Sequence, residues 1–75
     1  MSDYYSIIGG RMKHYRTRRQ LRQSDVANAI GTTHQTIYKY ETGQLRIPTH
    51  KAVKICGVIG MPINALITEQ STEDK

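Results

Sequence analysis

The chain has 75 residues, one cysteine, neither Trp nor Phe, and a formal net charge of +5. That length holds one domain and leaves no room for a second core, and a chain this short buries only about 60% of its unfolded surface. A single cysteine excludes an internal disulfide and fits a reducing compartment, and no apolar run approaches the ~18 residues a membrane span needs.

The charge is unevenly placed. Residues 1–67 carry ten Lys/Arg against Asp3, Asp25 and Glu41, a net of +7, while Glu69, Glu73, Asp74 and Lys75 sit in a polar tail. A compact domain with this surplus attracts polyanions, because each neutralised phosphate releases condensed counterion. Charge by itself does not choose among DNA, RNA and an anionic membrane.

In chain order, Ile8, Met12 and Tyr15 recur at i, i+4 and i+7, which predicts a first helix over residues 7–19 with Lys and Arg on its outer face. Gly9-Gly10 in its first turn costs roughly 1 kcal/mol each relative to Ala, so a close approach or an unwound start is expected there. A second helix begins at Gln23, with Val26, Ala29 and Ile30 as its inner stripe, and Gly31 stands where a helix ends with positive φ. Thr32-Thr33 offers a hydroxyl N-cap to a third helix, which turns Ile37 and Tyr40 inward and His34, Gln35, Tyr38 and Lys39 elsewhere.

Residues 44–48 read as a loop. Thr49 is the expected cap of a fourth helix that buries Ala52, Val53, Ile55, Cys56 and Ile59, and Gly60 stops it. Pro62 opens a fifth helix carrying Leu66 and Ile67 back onto the core. The expected fold is all-α: a compact five-helix domain over residues 1–67, followed by a polar, disordered tail over 68–75.

The second and third helices, joined by a short turn containing Gly31, form a helix-turn-helix pattern. The crossing needs a small residue, supplied by Ala27. The turn needs positive φ, supplied by Gly31, and the third helix needs a branched anchor, supplied by Ile37.

With Ile8-Gly9-Gly10-Arg11-Met12-Lys13, Leu21-Arg22-Gln23, Val26 through Gly31, Thr32 through Gly43 and Ile55-Cys56 through Gly60 in order, Ile8–Ile67 resembles the phage repressor/Cro, or XRE-type, helix-turn-helix family. The resemblance implies a λ-repressor-like fold with the recognition helix at about 33–41 in the major groove of double-stranded DNA. It further implies that His34, Gln35 and Lys39 touch base edges, that Gln23 contacts a phosphate, and that the loop from Thr42 to Arg46 follows the DNA backbone. Arg16 and Glu41 match a buried ion pair of the family. Gln20 stands where the family has Gly, and Arg22 stands where it has a Ser or Thr cap, so the second helix is expected to start without a side-chain oxygen cap.

Chemistry adds to this. Gln pairs with adenine through two hydrogen bonds, Lys favours the O6/N7 edge of guanine, and His34 can donate to guanine N7 or to phosphate. Arg22 and Arg46 suit phosphates, as do Thr33, Thr36 and Thr42. Tyr38 either contacts a base or sugar or lies over the second helix. The basic run of Arg11, Lys13, Arg16, Arg18, Arg19 and Arg22 is either a solvated face or a phosphate stripe, with Arg16 structural.

Cys56 and Tyr40 read as core. His14, His34 and His50 lack metal-ligand spacing, and there is no nucleophile motif, P-loop or dinucleotide fingerprint, so neither enzyme nor cofactor nor metal is expected. The expected function is a cytoplasmic, nucleoid-associated regulator, a repressor acting as a homodimer on a short palindrome, with Ile59, Met61, Ile63 and Ile67 as the dimer surface. The alternative is an antitoxin-like or co-regulator module that works through a partner protein. A membrane-surface role is disfavoured, since no long amphipathic basic helix is present.

Overall fold

The computed structural model describes residues 4–67, and the expected tail at 68–75 lies outside them. Within that range the chain forms five helices and no strand: α1 (Tyr4–Arg18), α2 (Gln23–Ile30), α3 (His34–Thr42), α4 (Thr49–Ile59) and α5 (Ile63–Ile67). No helix among the described residues is long and apolar enough to cross a membrane.

The core is aliphatic, as a chain without Trp and Phe requires. Met12, Val26, Ile37, Ile55, Ile59 and Leu66 are its largest fully buried side chains, joined by Ile8, Ala27, Tyr40, Ala52, Cys56 and Met61. Burial pushes up the pKa of both the Tyr40 hydroxyl and the Cys56 thiol. Cys56 is therefore an inert core thiol at neutral pH.

α1 begins a turn earlier than its apolar stripe indicated, at Tyr4 rather than Ile7. Tyr4 lies four residues before Ile8 and packs against the core, so the stripe extends by one tyrosine. The two glycines of α1 separate in role. A Cβ on Gly9 would overlap the carbonyl oxygens of Tyr40 and Glu41, whereas Gly10 faces open space. Gly9 is thus where the backbones of α1 and α3 cross in contact.

Two inner positions and one cap differ from the sequence expectation. In α2, Ala27 is buried as the crossing requires, but Ala29 is exposed. In α4, Val53 is 55% exposed, because Ala52, Ile55, Cys56 and Ile59 already define a face that excludes it. Thr49 is the first residue of α4, and Pro48 takes the cap position with φ −62° and ψ 146°, offering no side-chain acceptor. Pro62 likewise precedes α5, and its carbonyl accepts from the Ala65 N–H at 2.9 Å.

Four helix ends are closed alike. After α1, α2, α3 and α4 one residue enters the left-handed region: Gln20 (φ 60°), Gly31 (78°), Gly43 (82°) and Gly60 (72°). In each case the next N–H reaches back to a carbonyl five residues earlier: Leu21 to Arg16, Thr32 to Ala27, Gln44 to Lys39 and Met61 to Cys56, at 2.9–3.1 Å. At α1 this closure is made by a glutamine, where a side chain makes positive φ costly.

Candidate nucleic-acid interface

The second and third helices are held at a fixed angle by the turn between them. Gly31 donates to the Asn28 carbonyl and Thr32 to that of Ala27, which ends α2 and aims the chain into α3. Thr33, with φ −105° and ψ 158°, caps α3: its Oγ1 accepts from the Thr36 N–H at 3.3 Å. The Thr33 and Thr36 hydroxyls also share a hydrogen bond at 3.0 Å.

From that cap α3 divides into two faces. Ile37, Tyr40 and Glu41 are buried, while His34, Gln35, Tyr38, Lys39 and Thr42 are exposed. The spacing of the exposed set, at i, i+1, i+4, i+5 and i+8, is one continuous helical face. Tyr38 is 51% exposed.

The start of α2 is anchored from within the helix rather than by its cap residue. Arg22 has no side-chain oxygen, but the Asp25 carboxylate accepts from the Arg22 backbone N–H at 2.7 Å. The Arg22 guanidinium adds longer contacts of 3.3 and 3.4 Å to the same carboxylate. That backbone hydrogen bond first, and the guanidinium second, hold the Asp25 carboxyl below its ordinary pKa. Arg22 itself remains 81% exposed along its side chain, and with Gln23, Ser24 and His34 it lines an open notch between the starts of α2 and α3. Ser24 was not singled out from the sequence; its place in the first turn of α2 was the available signal.

Behind this face, three helices converge on one carboxylate. Arg16 from α1 donates through Nε to Glu41 Oε2 at 2.6 Å and through Nη2 to Oε1 at 3.1 Å. Gln23 from α2 donates through Nε2 to Glu41 Oε1 at 3.0 Å. Arg16 Nη1 also donates to the Leu21 carbonyl at 2.7 Å. The side chains of Arg16 and Glu41 are only 9% and 2% exposed. One of the Gln23 amide hydrogens is thereby committed to holding α3 against α2, a role the sequence did not disclose.

The hydroxyl of Thr42 is committed locally as well. It donates to the Tyr38 and Lys39 carbonyls and accepts from Gln44 Nε2 at 2.9 Å. In the following loop the Arg46 guanidinium lies over the Tyr5 ring, 5.7 Å from its centroid. Of the expected dimer surface, Ile59 and Met61 are buried within this chain's own core and offer no side chain to a partner; Ile63 is half-buried, and the Ile67 side chain lies outside those described. The described residues contain no group of three His, Cys, Asp or Glu that could hold a metal ion.

A family model described as a helix-turn-helix domain matches residues 7–66, from the second turn of α1 to the end of the core in α5. The chain belongs to the helix-turn-helix domain family. As a helix-turn-helix protein it is a DNA-binding transcriptional regulator and not an enzyme. Its fold is similar to that in the crystal structure of the clp gene regulator ClgR from C. glutamicum, with a TM-score of 0.84 at 12% sequence identity, covering 100% of this chain and 97% of that one. At that identity the likeness concerns the fold. No curated protein sequence matches the chain.

Proposed function

We propose that this helix-turn-helix protein is a repressor of the phage repressor/Cro (XRE) type, acting in the cytoplasm on the nucleoid as a homodimer at a short palindromic operator. The observation that carries the reading is the exposed face of α3. His34, Gln35, Tyr38 and Lys39 share it, all are donors, and their helix is clamped from behind by the Arg16–Glu41–Gln23 network. Such a helix loses little freedom on entering a major groove, where Gln and Lys read adenine and guanine edges.

Phosphate contacts fall around this face. Arg22 and the first N–H groups of α2 approach the backbone on one side, with Gln23 placed between phosphate and Glu41. Arg46, Thr33, Thr36 and Thr42 supply further phosphate contacts, the threonine hydroxyls alongside their cap and turn hydrogen bonds. A single domain of this size makes few base contacts. Two copies on half-sites about one helical turn apart make a usable operator.

The deciding experiment is selection of bound sequences from a random duplex pool at physiological salt. A two-fold-symmetric motif with half-sites about ten base pairs apart is expected. Salt-sensitive binding without any enriched sequence would remove the operator-reading role and move the function to a partner protein.

A further inference from the structure

A hollow on the described surface is lined by none of the exposed residues of α3. Tyr4, Tyr5 and Ile8 of α1, the loop Leu45–Pro48, Ala52 of α4, and Ile63 and Leu66 of α5 enclose a groove of about 450 Å³. The walls are mainly aliphatic and aromatic, with Arg46 and Thr49 also in the lining. Two of the large apolar side chains most exposed in this protein, Tyr5 and Leu45, stand at this groove, with Leu45 43% exposed.

We propose that this groove seats a second copy of the chain, with Leu45 of each copy entering the groove of the other across a two-fold axis. The inference deepens the homodimer reading above and rests on it. It also moves the interface from the buried Ile59 and Met61 to the start of α1 and the loop after α3.

Two features select a second copy over other occupants. The first is charge. The chain carries eleven Lys and Arg against six Asp and Glu, a net of +5, so two copies repel each other overall. The groove lining contains one charged side chain, Arg46, and its guanidinium is stacked on Tyr5 at the rim. With so few charges in its lining, the groove adds little to the repulsion between two basic copies. The second is shape. An isologous contact requires a patch that complements itself, a projection and a hollow together on one face. Leu45 and the groove beside it meet that requirement within a few residues.

The placement also suits the proposed operator. Leu45 lies three residues beyond the end of α3, so pairing at this loop sets the two recognition helices beside each other. With extents of 38 × 22 × 22 Å, two touching copies bracket the ~34 Å that separates adjacent half-sites.

The test is sedimentation equilibrium of the purified full chain without DNA, on wild type, Leu45→Asp and Val53→Asp, each first shown to melt cooperatively by circular dichroism. Val53 is exposed on α4 and does not line the groove, so its variant controls for an added surface carboxylate. Wild type and Val53→Asp are expected to reach the dimer mass as concentration rises, and Leu45→Asp to stay monomeric. Isotope-filtered nuclear Overhauser spectra on mixed labelled and unlabelled wild type should connect Leu45 methyls of one copy to Tyr5 ring protons of the other.

On a duplex bearing two half-sites, Leu45→Asp should lose roughly 100-fold more affinity than it loses on a single half-site, where its effect is confined to the repulsion between the new carboxylate and the DNA backbone. A monomeric wild type, a Leu45→Asp variant that dimerises as wild type does, or inter-copy signals from other residues would each overturn the proposal. Dimerisation through the groove with no enriched operator sequence would leave it intact and remove the operator reading instead.

Discussion

Arg16 of α1 and Glu41 of α3, twenty-five residues apart in sequence, meet in a two-pronged ion pair at 2.6 and 3.1 Å that is almost closed to water. Gln23 of α2 completes the set on the same carboxylate. The helix offered to DNA is therefore fixed to both helices behind it through one residue. Removing either charge leaves the other buried and unpaired, so Arg16→Met and Glu41→Leu should each destabilise by about 3–5 kcal/mol. The double variant should recover a large part of that loss. Urea melts of the four proteins measure it, and a double-variant loss equal to the sum of the two single losses would show that the two residues act independently through packing alone.

Adjacent glycines in α1 should respond in opposite directions. Gly9→Ala forces a methyl group into the Tyr40 and Glu41 carbonyls and should cost at least about 2–3 kcal/mol, displacing α3. Gly10→Ala meets nothing and should gain roughly 0.5–1 kcal/mol. Thermal melts distinguish them.

Gln20 carries the one positive φ among the described non-glycine residues. Gln20→Gly relieves that conformation but adds freedom to the unfolded chain, for a net gain of roughly 0.5–1 kcal/mol. That corresponds to a rise of several degrees in Tm for a domain of this size.

The acid limb of stability should carry the signature of Asp25. Its carboxyl has a folded pKa below the ordinary aspartate value, so the ionised form is the one the fold favours. Its stabilisation is present above the unfolded pKa and is lost as pH falls through the folded one. Asp25→Ala should therefore lower Tm at pH 6, and the difference from wild type should vanish toward pH 2. A difference that persists unchanged at low pH would assign the effect to helix propensity instead.

If α3 reads bases, two variants should part company on a single half-site duplex. Gln35→Ala should cost about 1–3 kcal/mol on the selected sequence and relax preference at one base pair. Arg46→Ala should weaken selected and random duplexes alike and flatten the salt dependence by about one phosphate. Equal behaviour of the two would count against base reading by α3.

What could be read from the sequence was local. The 3.6-residue spacing of Ile8 and Met12, of Val26 and Ile30, and of Ile37 and Tyr40 marks helices. Gly31, Gly43 and Gly60 mark three of their ends, and Thr33 marks a beginning, because each depends on the dihedral angles and hydrogen bonds of a few neighbouring residues. The order of these signals, with Ala27 and Ile37 between them, was enough to indicate a helix-turn-helix domain.

Other features were decided by helix against helix. Periodicity leaves neighbouring positions nearly equivalent, so only packing turned Ala29 outward and left Val53 in solvent. The same packing buried Ile59 and Met61, made Gly9 rather than Gly10 the crossing point, and drew Gln23 onto Glu41. The groove beside Leu45 exists only where α1, α5 and the loop before α4 meet. Local sequence sets the angle of a side chain about its own helix axis; which neighbour it meets there depends on segments tens of residues away.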